Sequence, residues 1–207
     1  MRRMNEGCNP PHPTLYDLPL HLALVLGSTR EGRLADTLAT WLLSELRDDR
    51  RFELDLVDLR HAGLSWGWGH TPAPPPEGVR PFPERIGRAD AFLFVLPEYN
   101  HSFPAPLKVA LDSVRREWQA KPAAIVSYGG VSGGLRAVEQ LRLVLAELHV
   151  VSIRDGVSFH RASTQFDAEG KPRDAEGIRA ALQTSLRQLA WWAQALRAAR
   201  HQQPYGS

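Results

Sequence analysis

The sequence predicts an α/β fold, a doubly wound five-stranded parallel sheet with helices on both faces, from three observations. Apolar runs too continuous for a half-solvated strand recur along the chain, which is the mark of strands covered on both faces. Between them lie segments whose apolar residues recur at helical spacing. The two kinds of segment alternate five times, as parallel strands joined by crossover helices require.

The first unit, Leu20 to Leu42, organises the rest. Six of the seven residues from Leu20 to Leu26 are apolar, and Leu34, Leu38, Trp41 and Leu42 follow at helical spacing. Between them Gly27, Ser28, Thr29, Arg30, Gly32 and Arg33 supply hydroxyls, guanidinium groups and turning points. A loop of this kind entering a helix N-terminus makes an anion site, because free backbone N–H groups and the helix dipole point at its occupant. Gly27 and Gly32 have P-loop spacing, but Arg33 and Leu34 stand where Lys and Ser/Thr would be needed, which disfavours a nucleoside triphosphatase. A dinucleotide fingerprint is also missing, so a single phosphate monoester fits the loop best. The alternative is an ordinary turn with solvated arginines.

Phe52, Leu54 and Leu56 alternate with Glu53, Asp55 and Val57 in a second, half-buried strand. Leu64 to Pro83 reads as an irregular excursion with Trp66 and Trp68 among prolines and glycines. It suits a pocket wall, a subunit contact or a cap on its own domain. A third strand, Ala91 to Leu96, runs into Pro97, Glu98, Tyr99 and Asn100, followed by a helix bearing Leu107, Leu111, Val114 and Trp118. A fourth, Ala123 to Ser127, runs into Tyr128, Gly129, Gly130, Gly133 and Gly134 before a helix with Leu135, Val138, Leu141, Leu145 and Leu148. A fifth lies near Val150 to Ile153, with Val157 to Phe159 after a turn, and the last helix spans about Asp174 to Ala199. With strand order 2-1-3-4-5, the loops after strands one and three flank one crevice at the topological switch point.

Composition narrows the function. The chain has 207 residues, 43% hydrophobic and 23% charged, which suits one globular domain over 20–200 between an N-terminal arm over 1–19 and a tail over 201–207. A formal charge of +2 gives no strong field for nucleic acid or a membrane surface. The single Cys8 excludes an internal disulfide and a cysteine metal site and agrees with a cytoplasmic setting. The N-terminal residues lack the apolar core expected of a signal peptide, and His61 and His70 lack companions at metal-ligand spacing.

Three motifs in this order, GSTREGR, PEYNHSFPAPLKVALD and SYGGVSGGLRAVEQLR, resemble those of the NADPH-dependent FMN reductase family of flavodoxin-like proteins, over roughly Leu20 to Phe159. The resemblance implies FMN as cofactor and NADPH or NADH as co-substrate. It implies that Ser28, Arg30 and Arg33 hold the FMN phosphate. Pro97, Glu98, Tyr99 and Asn100 would lie beside the ribityl chain and ring, and Ser127, Gly129 and Gly130 on the ring's pyrimidine side. Val109 departs from the Asn common in the family, and the Trp/Pro-rich excursion is not the usual short segment, so acceptor preference does not carry over.

The implied activity is hydride transfer from NAD(P)H to FMN and on to a small acceptor: free flavin, a quinone, an azo compound or a metal oxyanion. The alternative is a flavin-binding electron carrier or redox sensor that docks to a protein partner, which the +2 charge does not favour. No catalytic acid, base or nucleophile is assigned. His101 is the nearest proton donor, and a loop histidine is more often a structural hydrogen-bonder. The family resemblance and the large aromatic content, including Trp191 and Trp192, also imply a homodimer or homotetramer formed through the helix that carries Leu107 to Trp118.

Overall fold

The computed structural model describes residues 18–65 and 74–206. Trp66, Trp68, His70, Cys8 and most of the N-terminal arm lie outside the described residues. The chain order is β1 (Leu20–Leu26), α1 (Ala35–Leu46), β2 (Phe52–Asp58), α2 (Phe82–Arg88), β3 (Ala91–Pro97), α3 (Ala105–Ser113), β4 (Pro122–Tyr128), α4 (Leu135–Glu147), β5 (Val151–Ser152), β6 (Val157–Phe159) and α5 (Ala175–Gln202). All strand pairings are parallel, in the order β2-β1-β3-β4-β5, with β6 also pairing β4. This is the flavodoxin-like topology, and it brings the loops after β1 and β3 side by side.

The continuous apolar runs are explained by two cores, one on each face. Leu20, Leu22, Leu24 and Leu26 of β1 and Leu93 and Val95 of β3 pack on one side, with Leu38 and Leu42 of α1 and Leu182, Leu186 and Leu189 of α5. Ala23, Val25, Phe92, Phe94 and Leu96 point the other way, onto Ile86 of α2, Leu107 and Leu111 of α3 and Leu141 and Leu145 of α4. Successive strand residues feed opposite layers, so neither face tolerates a polar alternation.

Four expectations need correction. A helix, α2, follows the irregular segment; Phe82 and Ile86, four residues apart, bury against the sheet, and its FPERIGR sequence is too short and too proline-marked to read as periodic. The sheet holds six strands rather than five, because Val157–Phe159, after the expected turn, pairs as β6 on the same edge of β4 as β5; a Cβ at Gly156 in that turn would meet the Ile125 carbonyl oxygen at 2.5 Å. In β2 the alternation slips at its end: Val57 is buried and Leu56 is exposed, because Val57 faces the α2–α3 layer.

The fourth concerns the proposed interface. Leu107, Leu111 and Trp118 are fully buried within the subunit, where Trp118 packs at 4.8 Å on Phe92 and donates its indole N–H to the Leu111 carbonyl at 3.2 Å. They belong to this chain's core and leave no aromatic surface there for a partner. Trp191 and Trp192 of α5 are exposed, packed edge-to-face on each other at 5.1 Å.

Candidate flavin site at the carboxyl ends of the strands

Three loops, after β1, β3 and β4, meet at the carboxyl end of the sheet. In the first, the backbone amides of residues 28–32 have no acceptor among the described residues, and no side chain caps α1. Five unanswered donors lead into a helix of 12 residues, the arrangement that attracts an anion. Arg30 is exposed and lies over the Tyr99 ring, with its guanidinium carbon 5.2 Å from the centroid. Its fork is not hydrogen-bonded to any acceptor among the described residues, so it remains available for a phosphate.

Arg33 is placed differently. Its side chain is 2% exposed and is gripped by two carboxylates: Nη1 donates to Asp58 Oδ1 at 2.8 Å and Nε to Asp36 Oδ1 at 2.8 Å, while Nη2 reaches both. Nη1 also donates to the Ser28 carbonyl. The hydrogen bond to Asp58 raises the Arg33 pKa despite the opposing effect of burial. Burial pushes the Asp58 carboxyl up, and the stronger effect of Arg33 and the Arg60 amide holds it below the usual range. Arg33 is thus an internal brace for the loop. Asp58 was not singled out from the sequence; it arrives because the parallel register sets Leu26 beside Asp58.

Ser28 is fully buried, and its hydroxyl pairs with the Tyr99 hydroxyl at 2.9 Å, joining the first loop to the second. Tyr99 and Ser102 exchange both backbone bonds, at 2.9 and 3.0 Å, around Asn100 and His101. Both central residues have positive φ, 50° and 67°, the pattern of a two-residue type I′ hairpin. Two left-handed non-glycine residues in succession are strained, and strain of that kind concentrates at ligand sites. Pro97 is buried as the last residue of β3, and Asn100 is exposed.

Glu98 joins the second loop to the third. Its carboxylate accepts from Ser132 Oγ at 2.6 Å, the Arg136 amide at 3.1 Å and Arg136 Nη1 at 2.9 Å. The glycine loop itself is narrow by necessity. Gly134 has φ +88°, and a Cβ there would meet the Ser127 Cβ at 2.8 Å and the Tyr128 amide at 2.9 Å. A Cβ at Gly130 would meet nothing, so the backbone is open to a flat ligand at that point. Ser127 is buried and donates to the Gly133 carbonyl at 2.9 Å, and the Gly129 amide donates to Phe159 at 3.2 Å. Both are therefore occupied within the chain.

Sequence reasoning also passed over Tyr128. Its hydroxyl is buried without a hydrogen-bond partner, near Ser28, Tyr99, Arg33 and Asp36, and burial raises its pKa. A buried hydroxyl beside Ser28 and Tyr99 that meets no partner at hydrogen-bond geometry among the described residues fits a site built for a polar group. Among the described residues no cluster of three or more His, Cys, Asp or Glu side chains could hold a metal ion, and no helix is long and apolar enough to cross a membrane.

The sequence model of the NADPH-dependent FMN reductases matches residues 20–164. The chain belongs to that family. The 2-hydroxy-1,4-benzoquinone reductase of a Burkholderia species is 34% identical over 182 residues, which cover 84% of this chain and 97% of that protein. A NAD(P)H-dependent FMN reductase of Schizosaccharomyces pombe is 38% identical over 121 residues, 55% of this chain and 60% of its own. An NADPH:quinone oxidoreductase of Arabidopsis thaliana is 43% identical over 101 residues, 46% of this chain and 52% of its own. The match thus spans less than two thirds of these last two relatives. In fold, the chain is similar to FerB, a flavoenzyme NAD(P)H:(acceptor) oxidoreductase from Paracoccus denitrificans, with TM-score 0.62 and 23% identity over 85% of this chain and 98% of that one.

Proposed function

We propose that this FMN reductase family member is an NAD(P)H-dependent FMN oxidoreductase whose cofactor sits across the three carboxyl-end loops and passes electrons to a small acceptor such as a quinone. One observation carries the reading: the five backbone amides of residues 28–32, which have no acceptor among the described residues, open onto the N-terminus of α1 beside the Arg30 fork, at the switch point between β1 and β3. When bound, FMN supplies the ring that accepts a hydride and returns electrons.

The chain's own work is positional. The amides of residues 28–32 and Arg30 take the phosphate, and Arg33 holds their loop in shape from behind through Asp36 and Asp58. The Asn100–His101 hairpin and Gly130 border the space left for the ring. No side chain in these loops forms a nucleophile with an adjacent base, so hydride transfer rests on proximity and orientation of the two reactants.

NAD(P)H and the acceptor would then use the same open face of the bound cofactor in turn. NADPH oxidation in the presence of FMN and a benzoquinone should show parallel double-reciprocal lines, with quinone competing against NADPH. Intersecting lines would refute the shared face. FMN binding without NADPH or NADH oxidation would instead support the electron-carrier reading. We also propose a cytoplasmic homodimer or larger assembly, supported by the exposed Trp191–Trp192 pair; a monomer mass by light scattering at micromolar concentration would contradict the assembly.

A further inference from the structure

The glycine loop after β4 is clamped on its far flank. Ser127 Oγ and Ser158 Oγ both donate to the Gly133 carbonyl, at 2.9 and 2.8 Å; the Arg161 and Ala162 amides donate to the Gly130 and Gly129 carbonyls at 2.6 and 2.9 Å; and His160 Nδ1 lies 2.9 Å from the Val131 carbonyl. On the near flank, facing the Tyr99 hairpin, one side chain among the described residues holds it. The Glu98 side chain is 8% exposed, and both of its carboxylate oxygens are used, by Ser132 Oγ, the Arg136 amide and Arg136 Nη1. Its own amide donates to the Tyr128 carbonyl at 3.0 Å, so backbone and side chain straddle the same gap. Burial works against the charge on Glu98, yet these donors hold the carboxyl below its usual range.

A carboxylate with three donors already aimed at it is poorly placed to act as a ligand. We infer that Glu98 is a positioning residue, with Ser132 and Arg136, whose strap fixes the spacing between the Tyr99 hairpin and the glycine loop before a ring enters between them. The inference rests on the flavin reading of this site and goes beyond it in assigning Ser132 and Arg136 and in removing Glu98 from the set that touches the cofactor. A gap set in advance lets a flat ring bind without ordering the loop, so the strap acts through preorganisation.

The test uses riboflavin beside FMN, because riboflavin reports on the ring without the phosphate. Glu98→Ala and Arg136→Ala should each weaken both ligands by about tenfold or more, leaving the ratio of FMN to riboflavin affinity unchanged. The double variant should be no weaker than the worse single variant, since both break one strap. Glu98→Gln, which keeps an acceptor for Ser132, should stay within about threefold of the wild type. Additive losses, or a loss in Glu98→Ala with none in Arg136→Ala, would make Glu98 a direct ligand and overturn the inference. Should Glu98→Ala fail to fold, Ser132→Ala and Arg136→Ala carry the same comparison.

A readout without flavin separates this inference from the reading beneath it. In the ligand-free protein, the Gly134 amide, which donates to Ser132 Oγ at 3.3 Å, should exchange with solvent at least about tenfold faster in Arg136→Ala than in wild type. Unchanged exchange would refute the strap even where flavin binds. Faster exchange in a protein that binds no flavin would keep the strap and refute the cofactor.

Discussion

The two ends of the sheet carry polar groups of the same kinds and use them in opposite ways. At the amino end, buried Asp90 accepts from Arg200 at 3.0 Å, Arg197 at 3.4 Å and the His21 amide at 3.1 Å. Arg197 also donates to the Leu18 and Pro19 carbonyls, Arg200 to Ala120, and Lys121 to the Ile86 and Gly87 carbonyls. The result stitches the start of β1, the end of α2 and α5 into one network. At the carboxyl end, five amides and the Arg30 fork have no acceptor among the described residues. A cavity of about 640 Å³ lies against the amino-end cluster, and Asp90, Lys121, Arg197 and Arg200 on its wall are bonded to one another or to backbone carbonyls. Unanswered donors locate a ligand better than empty volume does.

The sharpest way to break this contrast is Arg33→Ala. Arg33 belongs to the carboxyl end by position and resembles the amino end by its engagement. Removing it leaves Asp58 and Asp36 facing each other without their shared cation, and a broken, largely buried pair costs about 3 kcal/mol. Chemical denaturation should show that loss without any ligand present. A variant as stable as the wild type with weakened FMN binding would make Arg33 a phosphate ligand after all.

Lys121 tests the amino end. Burial lowers its pKa to about 7, with Arg200 adding to the effect. The folded state therefore gives up the proton more readily than the unfolded chain, whose lysine titrates near 10.4. Stability contributed by this group should rise as pH increases from about 7 toward 10 and stay level below that window. The difference in unfolding free energy between wild type and Lys121→Met should show this slope; a difference flat over pH 6 to 10 would place the lysine in water.

The smallest effect should come from His101→Gly. Glycine meets the φ of 67° without steric cost, so the hairpin should gain about 1 kcal/mol. Unchanged stability would show that the left-handed residue is not strained.

The strands of the interior and the three loops at their carboxyl ends were legible because each depends on neighbours in sequence: an apolar run, then a polar turn, then helical spacing. What escaped depends on residues brought together by strand register. Asp36, three residues from Arg33, was visible, but Asp58 meets Arg33 only through the β1–β2 pairing. Glu98 finds its partners 34 and 38 residues later, across β3 and β4. Trp118 looked like a surface anchor because its helical stripe was visible and the Phe82, Phe92 and Phe94 rings that cover it were not.

If the carboxyl-end loops hold a flavin by its phosphate, Arg30 and the amides of residues 28–32 set a preference for FMN over riboflavin. Titrating wild type and Arg30→Ala with FMN and with riboflavin tests it most directly. Wild type should prefer FMN strongly, Arg30→Ala should weaken FMN by about 10- to 150-fold, and riboflavin binding should be the same in both proteins. Equal affinity of wild type and Arg30→Ala for FMN, or wild-type binding of riboflavin as tight as that of FMN, would contradict it.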